Sequence, residues 1–164
     1  MLGLVAVSFL EVARSYDGPR LAFQNVYRGW GGLTGSRSST EEFIAAINDT
    51  QSAFGDSSQA LEQAAEPGHK PSLEGVIARV AKSVDELKKV PSLGAKADNI
   101  ASQFLALMQD QYELLQDVER GAMTMTHFRR ASENARKYRE ITDSFSAWVD
   151  DEGQRYGIQL RKPR

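Results

Sequence analysis

The sequence predicts an all-α protein: a single-domain helical bundle of about five or six helices, with two long antiparallel C-terminal helices. Three observations predict it. Residues 94–151 hold two long runs of apolar side chains at helical spacing. The link between them, Arg120, Gly121 and Ala122, leaves room only for a tight reversal. No stretch of strict alternation bounded by turn residues occurs, so nothing calls for a sheet.

Residues 1–13 are apolar except for Ser8 and Glu11, and they read as a buried helix through Leu4, Val5, Val7, Phe9, Leu10 and Val12. Asp17, Gly18 and Pro19 break it. The run falls short of the roughly 20 residues that cross a bilayer, so no stable membrane span is expected within the chain. The rival reading takes residues 2–10 as the apolar part of a signal or anchor, with Ala13-Arg14-Ser15 as a cleavage site.

Residues 20–30 suit a short helix with Leu21, Phe23, Val26, Tyr27 and Trp30 on its apolar side. Gly29, Gly31, Gly32 and Gly35 then predict a loop as far as Ser39. There Ser39-Thr40-Glu41-Glu42 fits a capping box ahead of Phe43, Ile44 and Ile47. The stripe continues through Phe54, Leu61 and Ala64, crosses Gly55 as a weak point or kink, and stops at Pro67-Gly68 and Pro71. Ser72 is expected to cap the next helix, which turns Leu73, Val76, Ile77, Val80, Val84 and Leu87 inward until Val90-Pro91.

In the first long helix Ala97, Ala101, Phe104, Met108, Gln111, Leu115 and Val118 recur at steps of four and three, widened by Ile100, Leu107 and Leu114. Only Gln111 interrupts the stripe. In the second, Met125, Phe128, Ala131, Ala135, Tyr138, Ile141, Phe145 and Trp148 face one way, and Arg129, Arg130, Glu133, Arg136, Lys137 and Glu140 mostly the other. Each helix would run roughly 25 residues, or about 37 Å. Phe104, Leu107, Phe128, Tyr138, Phe145 and Trp148 are the expected core. The loops 31–38 and 66–72 are shorter than flexible linkers, so one domain is expected over residues 1–160, followed by a disordered basic tail at 161–164.

A chain of 164 residues can bury roughly two-thirds of its unfolded surface without a staple. The absence of cysteine excludes disulfides, thiolate metal sites, iron–sulfur clusters and cysteine nucleophiles. It leaves the compartment open, with the cytoplasm slightly favoured. The net charge of −2 gives no strong field toward nucleic acid or an anionic membrane. Residues 1–66 hold 4 basic and 8 acidic side chains and residues 67–164 hold 16 and 14, a modest asymmetry that reads as solvated helix faces.

Candidate chemistry is sparse. His69 lies in the turn Pro67-Gly68-His69-Lys70-Pro71 and reads as a solvated loop residue. Arg120 and His127, with six residues between them, resemble the arginine-to-histidine signature of HEPN ribonucleases. Those are helical bundles that use such a pair at a dimer cleft, so the resemblance implies RNA cleavage by Arg120 and His127. Gly121 departs from the polar residue typical there. The competing reading has Arg120 against a helix C-terminal dipole and His127 in the next first turn. The chain's one Glu-x-x-His, Glu66-Pro67-Gly68-His69, falls in the proline–glycine turn rather than on a bundle helix, and H-E-x-x-H, calcium loops and phosphate-cradling glycine motifs do not occur, so neither metal nor cofactor is expected. Trp30-Gly31-Gly32 is similar to the turn of small secreted W-x-G hairpins. Two further long helices and the lack of a correctly spaced export signal at Tyr112 or Tyr138 separate this chain from them.

These exclusions lead to a non-catalytic binding or scaffolding bundle that engages a protein partner, with a second copy of the chain as the alternative partner. One rival is an extracytoplasmic bundle of a membrane-tethered sensor or secretion component; another is the ribonuclease. The expected contact residues are Tyr27, Arg28 and Trp30 in the glycine-rich loop, where desolvated aromatic area can anchor. Arg129, Arg136 and Lys137 on the last helix would steer. Glu133 and Glu140, four residues after Arg129 and Arg136, halve the local positive field, so nucleic acid is not expected.

Overall fold

The computed structural model describes residues 21–23 and 34–160. The expected N-terminal helix or signal, the tail 161–164, and Tyr27, Arg28 and Trp30 lie outside the described residues. Four α-helices carry the fold: α1 Thr34–Ala65, α2 Glu74–Leu87, α3 Ala95–Arg120 and α4 Met125–Asp151. The architecture is an all-α helical bundle, with four of the expected helices in the described part. α1 packs on α2 and α3, α2 on α3, and α3 on α4.

One short antiparallel pair departs from the expectation. β1 Leu21–Phe23 is extended where a helix over 20–30 was predicted, and it pairs with β2 Ile158–Leu160 in the register Leu21↔Leu160. A three-residue strand shows no period, and its hydrogen-bonding partner lies at the far end of the chain. Local pattern could not display it.

α1 also starts earlier than the capping box suggests. The helix is already formed at Thr34, so Gly35 is helical and Ser39-Thr40 stand inside it rather than at its mouth. Thr40 is fully buried, which a solvent-facing cap would not be. Phe43, Ile44, Ile47, Phe54 and Leu61 turn into the core as their spacing requires. Gly55 sits on the exposed side of this helix, which runs through it, and a Cβ placed there meets nothing within 4 Å. Gly55→Ala should therefore stabilise the fold by about 0.5–1 kcal/mol, since alanine has less backbone freedom to lose. A urea midpoint at or below the wild-type value would show that glycine is required at this position.

Gly68, at φ 77°, takes the left-handed conformation that ends the turn after α1. The start of α2 is a second correction. Ser72 is exposed and caps nothing; the N-cap residue is Leu73, whose backbone N–H donates to the Glu119 carboxylate of α3 at 2.9 Å. A side chain from another helix thus takes the place of the serine. Before α3, the Asp98 carboxylate accepts from the Leu93 amide at 3.2 Å and the Ser92 hydroxyl at 2.6 Å, and Gly94 has φ 104°. Asp98 lies in the first turn of α3, where the helix dipole favours a negative charge.

The six expected core residues are all buried. Phe104, Leu107, Tyr138, Phe145 and Trp148 belong to one core cluster, which does not include Phe128; within it Phe104 lies edge-on to Tyr138 at 6.3 Å, and Phe145 stacks with Trp148 at 5.8 Å. α1 supplies the rings that join them to the rest. Phe54 stacks on Tyr138 at 4.3 Å, and Phe43 reaches Phe145 at 6.4 Å and Trp148 at 5.7 Å. α1 therefore meets α4 through a line of aromatic side chains.

Burial pushes the Tyr138 phenol up to about 12, against the 10.0 of an ordinary tyrosine. A folded value above the unfolded one means that the native state holds this proton more tightly. The stability it contributes is complete below pH ~10 and is lost as pH rises toward ~12, by up to about 2–3 kcal/mol. Tyr138→Phe removes the ionisation, so its stability relative to wild type should rise across that window. Equal alkaline loss in both proteins, followed by guanidinium unfolding at stepped pH, would show that Tyr138 is not the group responsible.

Candidate functional site

Three helices converge on a buried polar chain that starts at Gln111, the residue that interrupts the α3 stripe. The Gln111 amide nitrogen donates to the Ser57 hydroxyl of α1 at 2.8 Å, and Ser57 donates to the Phe54 carbonyl at 2.7 Å. From the other side, the Asn134 amide of α4 donates to the Gln111 carbonyl oxygen at 3.0 Å. Gln111 and Asn134 are each 1% exposed. A second buried link joins α1 to α2, where the Thr50 and Ser83 hydroxyls lie 2.9 Å apart and Thr50 donates to the Ala46 carbonyl. Buried polar groups of this kind fix which helix faces which, because a slip would leave each unpaired.

Beside the chain, where α3 and α4 meet at the surface, Arg130 spans an acidic ridge. Asp110, Glu113 and Asp117 recur at steps of three and four along α3 and so share a face. Arg130 donates through Nε and Nη2 to one Asp110 oxygen, at 3.0 and 2.6 Å, and reaches Glu113 at 3.0 Å and Asp117 at 3.4 Å. Partial burial alone would raise the Asp110 carboxyl, but hydrogen bonds from Arg130 and Asn134 outweigh it and hold the group below the usual aspartate range. The same contacts raise Arg130. Sequence reasoning placed Arg130 only on a wet basic face. The signal that could have found its role is the ridge on α3.

The expected steering residues sit on α4. Arg136 pairs with Glu140 at 2.6 Å, as its spacing predicts, and Glu133 pairs with Lys137 at 3.2 Å rather than with Arg129. Arg129 is exposed. The basic stretch is thus largely neutralised within its own helix and by the α3 ridge.

His127 has a defined structural use. Its Nδ1 accepts the Thr124 backbone N–H at 3.2 Å, while the His127 backbone N–H donates to the Thr124 hydroxyl at 3.4 Å. This closes a capping box with histidine in place of the usual acid or amide. Arg120 is exposed and approaches Asp117 at 3.9 Å. His69 is exposed in its turn.

Between α1 and α2, Asp49, Arg79, Lys82 and Glu86 line a surface hollow of about 110 Å³. Sites for small molecules are typically about 300–1,000 Å³. Its charges also pair: Arg79 binds Asp56 and the Ser52 hydroxyl, and Lys82 lies 3.3 Å from Glu86. Among the described residues no group of three or more metal-ligating side chains forms, and no helix is long and apolar enough to cross a membrane.

The chain matches no known protein family, no characterised protein and no solved structure. The candidate site therefore rests on its own geometry.

Proposed function

We propose that this chain is a non-catalytic helical bundle that engages a protein partner. The observation that carries the reading is the engagement of its chemically capable side chains in holding helices together. His127 caps α4, Arg130 ties α4 to α3, Glu119 caps α2, and Gln111 joins three helices. An imidazole that accepts a backbone amide supports this reading over ribonuclease chemistry by Arg120 and His127. We place the partner's anchor on Tyr27, Arg28 and Trp30, with Arg129, Arg136 and Lys137 contributing steering. Pairing of Arg136 and Lys137 with acids of their own helix supports that order, since a neutralised face offers less field.

The test compares two variants against a partner captured from the native source. Alanine at Tyr27 and Arg28 should abolish capture, while charge reversal at Arg129, Arg136 and Lys137 should mainly slow association and flatten or invert its decline with added salt. Full binding by the first variant and none by the second would make α4 the recognition element. Cleavage of mixed RNA by the purified protein, lost in His127→Ala, would overturn the non-catalytic reading.

A further inference from the structure

Two side chains at the buried polar chain keep one hydrogen-bonding atom unspent: Asn134 Oδ1 on α4 and Ser58 Oγ on α1, in residues 1% and 4% exposed, have no partner in the protein. The bonds around them fix their directions. Ser57 gives its proton to the Phe54 carbonyl, so it meets the Gln111 amide nitrogen as an acceptor, and that sets the Gln111 carbonyl oxygen toward Asn134. The Asn134 amide nitrogen serves both this oxygen and the Asp110 carboxylate. Turning the amide over would set its oxygen against two acceptors, so Oδ1 is the atom left over. A helical serine ordinarily spends its proton on the carbonyl four residues back. For Ser58 that carbonyl belongs to Phe54, whose two lone pairs already face a helix amide and the Ser57 hydroxyl.

The two unspent atoms lie at one level of the bundle. Phe43 meets Phe145 and Trp148, and Phe54 meets Tyr138, so α1 and α4 run antiparallel. Ser58 is one turn beyond Phe54, and Asn134 is one turn before Tyr138. Contacts of Ser57 and Asn134 with the same Gln111 amide fix that level independently. We propose that Ser58 and Asn134 form a binding site for one internal water, which accepts the Ser58 hydroxyl and donates to Asn134 Oδ1. Two stacked rings fill the space between the helices at Phe54 and Tyr138, whereas one turn away a serine and an asparagine face each other, and these shorter side chains leave room. The donor on one side and the acceptor on the other suit a ligand that does both. Waters that bridge otherwise unpaired buried groups are part of a fold, and such a bridge is nearly as favourable as a direct hydrogen bond. This one closes a ring through Ser57, Gln111, Asn134 and Ser58, and so adds a polar tie from α1 to α4 to those that run through α3.

A high-resolution crystal structure of the wild-type protein tests occupancy. The expected result is an ordered water within hydrogen-bond reach of both Ser58 Oγ and Asn134 Oδ1. A direct bond between the two side chains, a dry contact, or a water touching only one of them would overturn the proposal. Ser58→Ala adds a solution readout whose sign discriminates. Loss of the bridge should raise the unfolding equilibrium constant about three- to tenfold, the range for one neutral hydrogen bond. Without the water, the same substitution would remove a costly unpaired hydroxyl and install a better helix former, and the constant would fall. A constant at or below the wild-type value therefore also overturns the proposal. Neither readout involves a partner, so failure of the binding reading would leave both as expected.

Discussion

Phe104→Ala is expected to lower the free energy of unfolding by about 3–5 kcal/mol, the range for truncating a fully buried phenylalanine. Phe104 lies on the inward face of α3 and is 0% exposed. Its ring packs edge-on against Tyr138, which in turn carries Phe54 of α1, so one deletion loosens three helices. The cavity cannot collapse easily, because two buried side chains that also line this core, Leu107 and Met108, lie on the same stretch of helix. Chemical denaturation should show an earlier midpoint with an unchanged slope, as for a loss of stability that leaves the exposed surface of unfolding the same. A midpoint equal to wild type would mean that this face of α3 does not form the core.

The contrast between α3 and α1 shows what a sequence can disclose. The extents of α3 and α4 follow from their periodicity because each stripe is long, that of α3 is broken only by Gln111, and the link Arg120-Gly121-Ala122 marks where one helix ends and the other begins. α1 misled because Ser39-Thr40-Glu41-Glu42 is a local code, and such a code does not say whether a turn has already formed upstream. The cap of α2 was beyond reach for another reason. Its acceptor, Glu119, lies 46 residues further along the chain, and only the packing of α3 against α2 brings it there. The same holds for the rings. Phe43 and Phe54 were visible as members of a stripe, but the identities of their partners, Phe145, Trp148 and Tyr138, depend on how α1 lies against α4. Among candidate site residues, pairing of Arg136 with Glu140 was legible because both lie on one helix, whereas Arg130 needed a second helix to reveal its acids.

Gln111→Ala should also cost about 3–5 kcal/mol, for a different reason from Phe104. Truncation leaves a cavity and removes the acceptor of the Asn134 amide, and a buried donor without a partner costs about 1–3 kcal/mol in addition to the lost packing. Gln111→Met separates the two effects. Methionine refills most of the volume but accepts hydrogen bonds only weakly, so the penalty should shrink to about that of the orphaned amide. Adding Asn134→Leu to Gln111→Leu removes both partners together and should recover much of the stability, because an apolar pair of similar size leaves nothing unsatisfied. That recovery would have its own consequence. Ser57 would still be able to bond the Phe54 carbonyl, but the buried polar chain that joins α1, α3 and α4 would be gone, leaving the partly exposed Arg130–Asp110 pair to tie α3 to α4 at this level of the bundle. The double variant is therefore expected to be stable yet less uniquely packed, with broadened side-chain resonances for Phe54, Phe104 and Tyr138. Sharp, wild-type-like resonances in the double variant would assign the choice of helix register to the aromatic line alone and leave Gln111 a tolerated interruption.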